Sequence, residues 1–142
     1  MKKKVFGFCL VLFVLSIGVV FSQTPERFRV TSYFVNGQSN THIIRYVDVL
    51  NARTSMSLEL FLTNGERVVW FFGEGRTAPA TKNQIASMHY NDVTQNGVRQ
   101  FGTIARVFAD RNSITIGFYE GNYSQNSDLR LESADILIIL SK

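Results

Sequence analysis

Two histidines, a few carboxylates beside glycines and one cysteine are the side chains of this 142-residue sequence whose types suit chemistry. His42 and His89 stand 47 positions apart, and neither falls in an H-E-x-x-H or similar ligand spacing. A metal site would need the fold to join them, with Asp92 or Glu120 completing the set; two half-exposed strand histidines are the plainer reading. Glu74 and Glu120 each adjoin a glycine at a strand end, and a glycosidase pair needs two acids held about 5–10 Å apart. Nothing in their spacing places them together. No G-x-S-x-G pentad occurs, so the elbow of a serine hydrolase is absent. The stretch G-E-G-R-T-A-P-A-T-K-N at 73–83 holds two glycines, Arg76 and Lys82, which suits backbone amides approaching an anion. It lacks the strand-loop-helix order and the Gly-Lys-Ser/Thr ending of a phosphate loop, so a flexible crossover is the plainer reading.

The start of the chain sets the compartment. Three lysines at 2–4 precede an uncharged run from Val5 to Phe21 and then Ser22-Gln23. That is the order of a secretory signal peptide, with cleavage expected after Ser22. The rival is an uncleaved anchor, since 17 residues of helix reach about 26 Å against a core of ~30 Å. Cys9 lies inside the run behind Gly7-Phe8, which does not suit lipid attachment, and it leaves with the peptide. The short, lysine-led leader points to a bacterial exported protein, periplasmic or extracellular, so the sequon Asn122-Tyr123-Ser124 carries little weight.

Cleavage changes the charge. Losing Lys2, Lys3 and Lys4 takes Lys plus Arg from 15 to 12 against 11 acids, so the formal charge falls from +4 to +1. A nucleic-acid partner, which requires a basic face, loses its main support. Residues 23–142 then form one cysteine-free domain, stabilised by burial rather than cross-links. Eight phenylalanines, five tyrosines and Trp70 supply the material. Ten of the twelve remaining cations are arginine, and pairing across strands accounts for them most simply.

Asn-Gly recurs at 36–37, 64–65 and 96–97, and this dipeptide accepts the positive φ angles of tight hairpins. Between the breaks, strands are expected at 28–35, 41–50, 57–63, 66–72, 85–91, 98–109, 113–119 and 129–140. That pattern predicts an all-β fold, a mostly antiparallel barrel or two-sheet sandwich of about eight strands. Ile43, Ile44, Val47 and Leu50 also fit one helical face, and T-K-N-Q-I-A-S-M would suit a helical turn. Met56, Leu58, Leu60 and Leu62 alternate cleanly, as do Ile114, Ile116 and Phe118.

The stretch E-R-V-V-W-F-F-G-E-G at 66–75 does not alternate: Val68, Trp70 and Phe72 point one way, Val69 and Phe71 the other. The terminal D-I-L-I-I-L behaves alike. Both strands are therefore expected to be covered on both faces, by a loop or helix of the chain, a ligand inside the barrel, a partner chain, or lipid. The lipid reading is disfavoured, because several strands fall short of the ~9–11 residues a spanning strand needs. In size and strand count the chain is similar to small ligand-binding barrels, yet the G-x-W near the mature start that marks lipocalins is absent. The leading expectation is a non-enzymatic module that binds a small apolar ligand through Trp70, Phe72 and Arg76. It uses no cofactor, metal or catalytic residue, and meets the membrane only during export unless the leader stays as an anchor. A protein-interaction or envelope assembly module is the alternative, and a hydrolase with an unrecognised site the third.

Overall fold

The computed structural model describes residues 24–78 and 86–142. The segment assigned to export and residues 79–83 of the 73–83 loop lie outside the described residues, as does most of the helical turn expected at 81–88.

Twelve strands follow in chain order: β1 (Glu26–Val35), β2 (Gln38–Ser39), β3 (Ile44–Asn51), β4 (Met56–Leu62), β5 (Arg67–Gly73), β6 (Arg76–Thr77), β7 (Ala86–Tyr90), β8 (Asp92–Gln95), β9 (Val98–Arg99), β10 (Thr103–Ala109), β11 (Ser113–Glu120) and β12 (Ile136–Ser141). The fold is all-β, a curled, barrel-like antiparallel sheet in the order β6-β7-β10-β11-β12-β1-β3-β4-β5-β8-β9, with β2 beside β1. The count exceeds the expected eight because β2, β6 and β9 are two-residue stubs and β8 lies between the strands expected at 85–91 and 98–109. The two arcs of the curl are joined at two places. β1 pairs with β3 through Glu26–Phe28 and with β12 from Arg29 onward, and the register shifts between Val30 and Ser32. At that bulge the Thr31 hydroxyl donates to the Ile139 carbonyl at 2.9 Å. β7 pairs with β10 while β8, one residue on, pairs with β5. The path ends in β6 and β9, whose brevity leaves little open edge for another chain to copy.

The Asn-Gly reading holds at two turns in full: Asn36 and Gly37, and Asn96 and Gly97, all adopt positive φ, between 49° and 78°. Inside the curl, alternate residues pack into one core that includes Phe28, Val47, Leu58, Leu60, Phe72, Val93, Ile116 and Leu140. Each such side chain contributes about 1.5–3 kcal/mol relative to exposure. β4 alternates as expected, with Met56, Leu58 and Leu60 buried, whereas β11, expected to be half-buried, is buried in succession from Ile116 to Tyr119.

Several expectations are corrected. Residues 41–43 form one 3-10 turn, and strand begins only at Ile44. The strand expected at 98–109 is broken after Arg99, where the Gln100 N–H turns back to the Val93 carbonyl. The strand expected at 129–140 starts at Ile136; the residues before it, including a 3-10 turn at Leu131–Ser133, run outside the sheet.

The largest correction concerns the doubly covered strand. β5 is covered on one face only: Trp70 and Phe72 are buried, while Val69 is 38% and Phe71 41% exposed. In β12, Ile138 and Leu140 are buried and Leu137 and Ile139 only partly so. Burial on both faces falls instead on β10, where Ile104, Ala105, Arg106, Val107 and Phe108 are all buried in succession, and on the adjoining part of β11. Ala105 and Val107 face the core, and Ile104, Arg106 and Phe108 face outward. Their neighbour on the outer face, Tyr119, is buried too. Over Arg106 and Tyr119 the cover is the segment 121–135. Arg106 Nη1 donates to the Ser127 carbonyl at 2.9 Å, the Tyr119 hydroxyl donates to the Arg130 carbonyl at 3.2 Å, and the Tyr123 ring meets Tyr119 edge-on at 6.2 Å.

Candidate functional site

Trp70 sits near the middle of β5, opposite Leu58 on β4 and Gln95 on β8. The strand's pleat turns its indole inward onto Phe118, with ring centroids 4.4 Å apart. Although only 4% exposed, the indole reaches the wall of a cleft of about 160 Å³ at one mouth of the curl. Val35, Phe118 and Ile136 share the apolar wall, and Asn36, Gln95, Gln100, Thr103, Glu120 and Asp135 bring polar groups to it. Main-chain bonds tie this mouth together: Asn36 N–H to the Asp135 carbonyl at 2.7 Å, and Gly121 N–H to the Gly102 carbonyl at 2.7 Å. The Asp135 carboxylate accepts the Glu120 N–H at 2.8 Å, which fixes the end of β11 against the start of β12.

The other residues singled out in the sequence lie elsewhere. Phe72 points inward, fully buried, against Tyr90 and Phe118 at 5.6 and 5.3 Å, and backs the cleft from within. Arg76 is exposed on β6, in register with His89, in the other arc of the sheet. Thus the structure joins Trp70 to a cleft but does not bring Arg76 to it. Glu74 follows β5 at the far mouth, where a second cleft of about 210 Å³ is lined by Met56, Met88, Tyr90 and Val107. Glu120 lines the Trp70 mouth, so these two acids are not a pair. His42 is exposed on the 3-10 turn, while His89 is fully buried on β7. Among the described residues no group of three or more His, Cys, Asp or Glu is arranged to hold a metal ion.

A polar row, buried at His89 and Arg106 and exposed at Arg76, crosses the outer face and was missed by the sequence reading. Arg76, His89, Arg106 and Gly117 follow one another in register over β6, β7, β10 and β11. His89 Nε2 is 2.9 Å from the Asn91 amide oxygen; Nδ1 has no hydrogen-bond partner. Burial, then the charges of Arg106 and Arg76, lower the His89 pKa, against the raising effect of the Asn91 bond. Burial above all raises the Tyr119 hydroxyl to about 12. Removal from water likewise lowers Arg106, while the ionisable Tyr119 and Asp128 favour its charge. The row is packed into the covered face, and its chemistry is that of structure. Its signal in the sequence was an arginine inside an otherwise apolar run, I-A-R-V-F. The polar lining of the Trp70 cleft was equally unmarked, except that two of the three Asn-Gly turns fall beside it.

No family model matches this chain, and no curated protein or solved structure does either. Function therefore has to be read from the chemistry of the clefts and faces themselves.

Proposed function

We propose that this chain is an exported, non-enzymatic binding domain whose ligand is small and has an apolar body that enters the mouth of the curled sheet beside Trp70. The observation that carries the reading is the cleft itself, an opening of about 160 Å³ with Trp70, Phe118 and Ile136 on its wall and hydrogen-bonding groups around them. Apolar surface with a few converging polar groups is the usual composition of a small-molecule site. The volume limits the occupant: a cavity of about 150 Å³ lined by apolar side chains accommodates benzene. The interior beyond is filled by Phe72, Leu58, Leu60 and Ile116, so a long acyl chain has nowhere to go. Export to the periplasm or beyond rests on the lysine-led apolar start of the sequence.

Trp70 is the only tryptophan, so its fluorescence reports this cleft alone. A panel of ring-sized apolar compounds is expected to quench or shift its emission in a saturable way. Unchanged emission over the whole panel would sink the reading.

A second reading, self-assembly, is favoured by the bare outer face of β5. There Val69 and Phe71 stand open between two charge pairs, Arg67 with Glu59 at 2.8 Å and Arg99 with Asp92 at 3.6 Å. A strip flanked by both signs of charge is self-complementary across a two-fold axis, as an isologous dimer requires. Sedimentation at rising concentration tests it; a monomer throughout removes it.

A further inference from the structure

The charge on the Trp70 cleft is one-sided. Glu120 and Asp135 both line it, and none of its lining residues is lysine, arginine or histidine. A ligand lodged against Trp70 therefore brings its outer end beside two carboxylates. An anion there would be repelled. A wholly apolar ligand would strip water from the acids without giving them a partner, at a cost. A cationic head on a ring-sized body meets both demands: the body fills the wall of Trp70, Phe118 and Ile136, and the head lies near the acids and an indole that favours cations. Asp135 is committed through one oxygen to the Glu120 N–H, whereas the Glu120 side chain stands exposed at the rim. Glu120 is thus the acid most open to a ligand's charge.

We infer that the ligand of this cleft is a compact organic cation, an ammonium carried on a body about the size of one six-membered ring. The inference rests on the binding reading above and sharpens it.

The experiment titrates Trp70 fluorescence of the full chain at pH 7 with three compounds that share a ring and differ in the head: benzylamine, benzyl alcohol and benzoate. Benzylamine is expected to bind about tenfold tighter than benzyl alcohol, with benzoate weakest, from an ion pair and an aromatic-cation contact acting together. The Glu120→Gln variant is expected to remove most of the advantage of the amine over the alcohol. Raising salt should shrink the same difference, since the charges are near water. Equal binding of amine and alcohol would overturn the cationic head while leaving the binding site standing. An amine preference untouched by Glu120→Gln would overturn it as well. Silence with all three compounds would remove the site and the inference together.

Discussion

Phe71 and Tyr119 begin from the same local arrangement and end in opposite environments. Each lies on the outer face of the sheet, two residues from a glycine on that face, and each ring leans over the space the glycine leaves. A Cβ built on Gly73 would stand 3.2 Å from Phe71 Cε1, and one on Gly117 2.8 Å from the Tyr119 hydroxyl oxygen. Yet Phe71 is 41% exposed and Tyr119 2%. The difference is the segment 121–135, pinned over Tyr119 and Arg106 by their hydrogen bonds to Arg130 and Ser127. A strand's own hydrophobicity therefore does not decide whether its outer face is covered; what decides is whether a connection long enough to fold back leaves from its end. After β11 fifteen residues intervene before β12, whereas Gly73 and Arg76 are separated by only Glu74 and Gly75.

The comparison is broken most directly at Tyr119. Tyr119→Ala is expected to lower the unfolding free energy by about 3 kcal/mol or more, the range for deleting a buried aromatic ring. Tyr119→Phe, which removes only the bond to Arg130, is expected to cost about 1 kcal/mol. Denaturant titration gives both values. Limited proteolysis should cut within 121–135 far sooner in the alanine variant, because the cover loses its ring partner.

The two glycines provide the next contrast. Gly117→Ala would press a methyl group against a ring that is held in place by the cover, and overpacking of that kind costs about 1–3 kcal/mol. Gly73→Ala meets Phe71, whose exposed ring is free to swing aside, and the Asp92 carboxylate at 3.3 Å. Its expected effect is under about 1 kcal/mol, within the spread of surface substitutions. Equal losses at the two sites would show that the cover does not hold Tyr119 in place.

Much of this architecture was legible in the sequence. Strands β4 and β11 follow from the period-two alternation of their residues, β5 from its run of β-branched and aromatic residues after an Asn-Gly turn, and the inward pointing of Trp70 and Phe72 follows from the pleat. The covered strand was not legible, because the eye goes to V-V-W-F-F and passes over I-A-R-V-F. Arg106 reads as a surface residue until a carbonyl 21 positions away accepts its hydrogen bond. Long-range pairing of this kind leaves no local periodicity. The Trp70 cleft was half legible: its aromatic wall lies on regular strands, but Gln95, Gln100, Thr103, Glu120 and Asp135 come together only because distant strand ends share one mouth. Arg76 was grouped with Trp70 by nearness in sequence, which means little once β5 and β6 lie in different arcs.

The covered face is also expected to be sensitive to acid. His89 is fully buried, in register between Arg76 and Arg106, with Asn91 at Nε2. Burial and the two arginines hold its folded pKa below the ordinary 6.5. The unfolded chain then binds the proton first, so the stability linked to neutral His89 is complete above pH 6.5 and declines as pH falls from there toward the lower folded value. Melting temperatures between pH 7 and pH 5 should fall in the native chain and fall less in His89→Gln. Parallel curves would place the acid sensitivity elsewhere. For Tyr119 the pH dependence runs the other way: with its folded pKa raised to about 12, ionisation of the unfolded chain above pH 10 draws stability down in alkali.

The smallest effect is expected on the bare side, and it sharpens the comparison because the change looks drastic on paper. Replacing Val69 and Phe71 together by threonine removes two large apolar groups from a strand but puts a β-branched side chain suited to it at each position. Val69 and Phe71 are 38% and 41% exposed, so only part of their burial is at stake, and the unfolding free energy should move by no more than about 1 kcal/mol. The same variant discriminates between uses of the face. If copies of the chain meet through it, sedimentation at high concentration should shift from dimer to monomer while the melting temperature of the dilute protein stays put. If the double variant loses several kcal/mol as a dilute monomer, the outer face of β5 is covered in solution after all, and the contrast with Tyr119 is lost.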